Sequence, residues 1–145
     1  MTPLEALQVT LAGEHAAIYV YAVLGGRVSV SADPAMASRL VAGYTTHRAR
    51  RDQLVAMVTA VGAEPAVAET SYELPNPSLV SAQLERAALE TEQRCTAVYA
   101  DMVASTSRAN RQWAIDALTD SAVRQLGFGG DPSPFPGVSE LTAPR

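Results

Sequence analysis

Lysine is missing: all eleven basic residues are Arg, the mark of a GC-rich coding source. Charge of either sign is sparse, at 18% of residues, and the net charge is -4. With the Arg residues dispersed rather than clustered, the chain lacks the electrostatic footprint of a nucleic-acid binder. A single cysteine, Cys95, excludes an intramolecular disulfide and, within a helical apolar pattern, reads as a small buried hydrophobe. Only two histidines are present, His15 and His47, which excludes a hydrolase centre built on three. There is no Gly-x-Ser-x-Gly, and Cys95 has no evident histidine base. Gly25-Gly26 and Gly129-Gly130 lack the flanks of a phosphate-cradling loop. No apolar run approaches the roughly 20 residues of a membrane span, and the N-terminus lacks the basic and apolar regions of a leader. The expectation is a cytoplasmic protein without membrane or nucleic-acid partners.

What the chain has is alanine, helical periodicity and enough length, 145 residues, for one domain with a real core. Thr2-Pro3-Leu4-Glu5 has the form of a capping box that opens helix 1, with Leu4, Leu7, Leu11, Ile18, Ala22 and Gly25 as its apolar stripe. The stripe fades near Val28. Asp33 and Pro34 then open helix 2, whose stripe is Leu40, Tyr44, His47, Arg51, Leu54, Val58 and Val61, ending at Gly62. The pattern vanishes over 63–77, which holds Pro65, Pro75 and Pro77. Helix 3 is expected from Pro77, capped by Asn76, to about Ala104. Helix 4 is expected over Arg108–Leu126, with Ala114, Ile115, Leu118, Ala122 and Leu126 inside and Gly127 as its stop. This gives a bundle over 1–127 and a Gly/Pro-rich tail, extended and partly disordered, over 128–145.

Short turns make helices 1–2 and 3–4 antiparallel hairpins. The middle connection of about 15 residues reaches roughly 50 Å when extended, and a helix of about 28 residues is roughly 42 Å long. The connection can therefore cross the whole bundle, and a loop that long is uncommon unless it has such a task. The fold expected is an all-α four-helix bundle, up-down-down-up, with a long crossover between helices 2 and 3.

Glu14 sits on the stripe of helix 1 and His47 on that of helix 2. The hairpin turn is centred near Ser31; Glu14 lies 17 residues before it and His47 16 after, so equal rise brings them to one depth. An acid and an imidazole in mid-core are costly unless they bond each other, a metal or another partner. Glu14 is followed seven residues on by Tyr21, and in helix 3 Glu92 is followed seven on by Tyr99. The two segments superpose at an offset of 78, which also carries Leu11 to Leu89, Leu40 to Leu118 and His47 to Gln125. One hairpin reads as a diverged copy of the other. Glu14, His47, Glu92 and Gln125 are then expected to converge, with Glu90 competing for the place of Glu92. Arg51, one turn beyond His47, is expected to hold a buried carboxylate through two parallel hydrogen bonds, and Tyr21 and Tyr99 to complete a metal-free network.

The segments Glu14-His15-Ala16-Ala17-Ile18-Tyr19-Val20-Tyr21, His47-Arg48-Ala49-Arg50-Arg51-Asp52, Gly62-Ala63-Glu64-Pro65 and Tyr72-Glu73-Leu74-Pro75 occur in an order that resembles a ferritin-like domain family of unknown function from GC-rich bacteria. The resemblance spans roughly residues 4 to 127. It implies the fold of the wider ferritin and ribonucleotide-reductase-like superfamily, and no activity. That superfamily's di-metal site takes one Glu from each of two helices and Glu-x-x-His from each of the other two. Glu14 and Glu92 match the lone acids and His47 one histidine, but Tyr44, Ala122 and Gln125 stand where further ligands belong. Both bridging carboxylates are missing, and two Fe or Mn ions need those anions.

His15 points away from Glu14 and is expected at a boundary or subunit contact. Tyr19 and Tyr44 read as packing aromatics, and Trp113 as core or dimer interface. Two of Arg48, Arg50 and Arg51 are expected to form a solvated face. The leading reading is a homodimeric structural or interaction protein with no catalytic residue and no cofactor. One rival is a redox protein holding Fe or Mn on Glu14, His47 and Glu92. Another is a binder of a small apolar ligand between the helices.

Overall fold

A computed structural model describes residues 1–138. It contains four helices, α1 (Pro3–Arg27), α2 (Pro34–Ala60), α3 (Ser81–Ser105) and α4 (Arg108–Leu126), and no strand among the described residues. α1 begins on the expected capping box: the Glu5 N–H donates to Thr2 Oγ1 at 3.2 Å, and the Thr2 N–H to Glu5 Oε2 at 2.7 Å. Asp33 caps α2 by accepting the Met36 N–H at 2.9 Å.

α3 starts at Ser81, four residues later than Pro77, and Asn76 is not its cap. Ser78 has φ 54, in the left-handed region, and breaks any helix begun at Pro77. Asn76 instead accepts the Ser78 N–H and donates to the Gln83 carbonyl, bracing the first turn from outside.

The helices pair by small side chains and shared polar atoms. α1 packs on α2 and on α3, and α3 packs on α4. Contacts read in opposite order along α1 and α2, with Glu14 on His47 and Tyr21 on Gly43. They do so again along α1 and α3, with Glu14 meeting Tyr99 and Tyr21 meeting Glu92. The connection between α2 and α3 is strapped along α1. Gln8 bonds Glu64 and Ala66, His15 donates to the Ala66 carbonyl at 3.0 Å, Tyr19 packs on Tyr72, and Arg27 donates to the Pro77 carbonyl. His15 is thus a boundary residue that fastens this connection.

Several inward positions differ from the stripes read in the sequence. In α2 the buried seam is Met36, Leu40, Gly43, His47, Arg50, Leu54 and Val58, while Tyr44 and Arg51 lie to its side. Gly43 sets this rotation: a Cβ there would come within 2.3 Å of the Tyr21 ring, so the ring occupies the space a side chain would take. Seven residues on, two helical turns, Arg50 faces inward. Leu4, Ala22 and Gly25 of α1, Val61 after α2, and Ile115 and Leu126 of α4 are exposed. α4 buries only Ala114, Ala117 and Ser121.

Two apolar layers sandwich the polar centre. One gathers Leu24, Leu40, Leu84 and Phe128; the other gathers Leu7, Leu11, Leu54 and Met102. Phe128, expected in the tail, is a core residue packed on Tyr21. Gly137, with φ 81, lies so close to α3 that a Cβ would come within 2.4 Å of the Thr96 carbonyl oxygen. The segment after α4 therefore folds back on α3 up to Val138; residues 139–145, which the expected tail also covers, lie outside the described residues. α1 is long and apolar enough by length and mean hydropathy to cross a membrane, yet nine of its residues, Glu14 among them, are buried in the bundle.

Candidate functional site

The two apolar layers leave a ring of polar side chains between them. Glu14 from α1, His47 from α2 and Glu92 from α3 are fully buried and meet there. The imidazole lies between the two carboxylates: His47 Nδ1 is 2.7 Å from Glu14 Oε2, and Nε2 is 3.1 Å from Glu92 Oε1. Tyr21 OH donates to Glu92 Oε1 at 2.5 Å, and Tyr99 OH donates to Glu14 Oε1. Ser121 of α4 donates to Glu92 Oε2. Every oxygen of the two acids has a protein partner.

An outer set of charges closes the ring. Arg50 donates to Tyr99 OH and the Ala117 carbonyl, each at 3.2 Å, and to Asp120 Oδ2 at 2.6 Å. Arg124 donates to the same Asp120 oxygen at 2.7 Å, and its Nε lies 3.2 Å from Glu92 Oε1 without hydrogen-bond alignment. The cations His47, Arg50 and Arg124 match the anions Glu14, Glu92 and Asp120 in number.

The geometry fixes protonation. Burial opposes a charge on His47, but hydrogen bonds and attraction from Glu14 and Glu92 outweigh it and push its pKa up to about 9. Imidazolium, with both N–H groups donating, is therefore the form at neutral pH. Burial likewise opposes ionisation of Glu92, yet the His47, Ser121 and Tyr21 donors hold its pKa below the usual value. Burial, with Glu92 beside it, drives Tyr21 up, and burial with Cys95 and Glu14 beside it drives Tyr99 up, so both phenols stay protonated donors. Burial also raises Cys95 well above the ordinary thiol value, which removes it as a thiolate nucleophile.

Of the residues expected to converge, Glu14, His47, Glu92, Tyr21 and Tyr99 do. Gln125 stands at the rim, donating to Thr96 Oγ1 at 2.6 Å rather than to a carboxylate. Glu90 faces outward beside Arg86. Arg51 is not in the cluster: it lies at the surface and forks onto the neighbouring Asp52 at 2.9 and 2.7 Å. Arg50 takes the inward place foreseen for Arg51, because the seam steps three residues from His47, not four, but it forks onto neither buried acid: it reaches Glu14 through Tyr99 and bonds half-exposed Asp120 through one nitrogen. Ser121, Asp120 and Arg124 were missed. The offset of 78 relates Ser121 to the inward Gly43, but a serine in an Ala-rich helix carries little signal by itself.

The donor set does not fit the di-metal pattern that the resemblance implies. Tyr44 and Ala122 replace the bridging acids, and Tyr44 lies instead under Arg48. His47 turns its two nitrogens to acids on opposite sides of the ring, so the three donors share no common point. Among the described residues no group of three His, Cys, Asp or Glu side chains is placed to hold a metal ion.

The chain is similar to a solved structure, a conserved hypothetical protein, Rv2844, from Mycobacterium tuberculosis. The TM-score is 0.81 and the identity 29%, over 88% of this chain and 94% of that one. No curated protein matches. The family described as Domain of unknown function (DUF4439) matches residues 6–140, and the chain belongs to it.

Proposed function

We propose that this protein is a ferritin-like bundle, up-down-down-up with a long crossover, whose central di-metal site has become a metal-free ion and hydrogen-bond network. It serves as a structural or interaction protein and not as an enzyme. The opposite order of contacts along α1 with both α2 and α3, and a connection that follows α1 from Gln8 to Arg27, support the topology. One observation carries the metal-free reading: the His47 ring is bonded through both nitrogens to Glu14 and Glu92. A protonated imidazole supplies between the two acids the positive charge that ions supply in a di-metal centre. It also fixes the register of three helices, an attested use of buried polar groups.

The test is metal analysis of protein purified without chelator, followed by calorimetric titration with Mn²⁺ and Fe²⁺. The proposal expects well under one equivalent of metal and no saturable heat. Near-stoichiometric Fe or Mn, lost in Glu14→Gln, would restore the redox reading.

A further inference from the structure

The side chains that join α1 to α3 at the polar centre are long: Tyr21 and Tyr99 each reach across to an acid of the other helix. One face further round, the same two helices carry short side chains. Gly13, Ala17 and Val20 of α1 lie at helical spacing, and the offset of 78 carries them to Thr91, Cys95 and Val98 of α3. Contacts read in opposite order along the two helices, so Gly13 meets Val98: a Cβ on Gly13 would lie 3.8 Å from Val98 Cγ1. Helices held apart by long side chains on one face, with short ones on the next, leave a trough between them. It is a cleft of about 330 Å³ lined by both rows.

The connection between α2 and α3 supplies a third wall through Tyr72 and Glu73. Tyr72 is fixed in place: its ring packs on Tyr19 with centroids 5.6 Å apart, and its hydroxyl accepts the Glu69 N–H at 2.9 Å. The lining is mostly apolar. Thr91 spends its hydroxyl proton on the Ala87 carbonyl at 2.7 Å, and burial beside the two acids keeps Cys95 a neutral thiol. Water in such a cleft finds few partners, and an apolar group that displaces it gains affinity. At the mouth stand Glu73 and Arg94, both exposed and of opposite charge. An ion of either sign is drawn to one and repelled by the other, so the cleft favours no net charge.

We propose that the cleft between α1 and α3 binds a small uncharged molecule with an elongated apolar body, which lies along the two rows beside Tyr72 with its polar end at Glu73 and Arg94. The distance from Gly13 to Val20, roughly 10 Å along the helix axis, sets the length of that body. A preformed apolar cleft with a few polar groups at its mouth is the usual form of a small-molecule site. The site is independent of whether the centre of the bundle binds metal.

The experiment is methyl NMR of the full chain titrated with 1-octanol, octanoate and octylammonium at pH 7 in EDTA. The three probes share one chain and differ in the charge of the head. With 1-octanol, saturable shifts are expected in the methyl groups of Ala16, Ala17, Val20 and Val98, which line the cleft, while those of Leu40 and Leu54 in α2 stay in place. Octanoate and octylammonium are expected to bind about tenfold more weakly. Ala16→Phe fills the cleft from a half-buried position on α1, and Tyr72→Ala removes the third wall from outside the helices. Each is expected to weaken 1-octanol by about tenfold or more. No saturation in wild type up to the solubility limit of 1-octanol, or an affinity unchanged in either folded variant, overturns the proposal. A charged probe that binds as tightly as 1-octanol overturns the uncharged ligand.

Discussion

His47 is the side chain on which the rest of the centre depends. Its pKa is raised from 6.5 to about 9, so the folded state holds a proton that the unfolded chain gives up. The stability this supplies is complete below pH 6.5 and is lost as pH rises through about 9. It amounts to roughly 3 kcal/mol, since each tenfold gain in proton affinity on folding contributes about 1.4 kcal/mol. Glu92 acts in the opposite sense: its pKa is lowered from 4.5, so its contribution is present above 4.5 and lost as pH falls through the lower folded value. Urea unfolding across pH is therefore expected to show greatest stability between about 4.5 and 6.5, with a decline from 6.5 to 9 that His47→Gln removes. A flat profile in wild type over that upper range would contradict the assigned proton. Which residues share this depth was legible from counting alone, because Glu14 and His47 are almost equidistant from Ser31. The choice of Arg50 over Arg51 was not, because it turns on the fit of one tyrosine ring against a glycine in the next helix.

At the scale of the helices, glycine marks where two backbones approach closely and where they do not. Gly43 admits the Tyr21 ring, and Gly25 of α1 has nothing within 4 Å of a built Cβ. Gly25→Ala is expected to stabilise the fold by about 0.5–1 kcal/mol, the helix-propensity gain. Gly43→Ala gains the same propensity but must displace Tyr21 from Glu92, and is expected to destabilise by about 1–3 kcal/mol. Denaturant midpoints of the two variants check this, and equal changes of the same sign would refute the close packing. Two of the four helix starts were readable from local capping chemistry, Thr2-Pro3-Leu4-Glu5 and Asp33-Pro34; α4 also begins at the expected Arg108, but Ser107 makes no side-chain cap bond. The start of α3 was not, since Asn76-Pro77 mimics a cap and only the left-handed Ser78 shows that the chain has not yet turned. The rotation of α4 was hidden for another reason. An Ala-rich helix has no steep apolar face, so Ile115 and Leu126 looked as suited to the core as Ala114, and the buried Ala117 was passed over.

At the scale of the molecule, the apolar layers at both ends isolate the central ions from water, which strengthens each pair and raises the penalty for losing any one partner. The outer face of α4 is less complete. Ile115, Val123 and Leu126 share one side by spacing and are 39%, 61% and 47% exposed. A second copy covering that side is the homodimer expected from the sequence. Light scattering at rising concentration is expected to show twice the monomer mass, reduced to monomer by Val123→Glu; monomer throughout would remove the dimer. The length of the middle connection was plain in the sequence, but not that it lies along α1, because the Gln8, His15 and Arg27 contacts are to backbone carbonyls and N–H groups that any sequence offers. Phe128 was lost to the tail for a similar reason, standing in a run of glycines that reads as loop.

The claim that a proton on His47 stands between the two buried acids is tested most directly by ¹⁵N NMR of its imidazole ring. At pH 7 in EDTA both ring nitrogens are expected to carry protons, resonating where imidazolium nitrogens do, and to titrate together near pH 9. The same spectrum is expected after one equivalent of Mn²⁺ is added without chelator. A ring with one unprotonated nitrogen at pH 7, or a His47 signal broadened selectively by Mn²⁺, would contradict it.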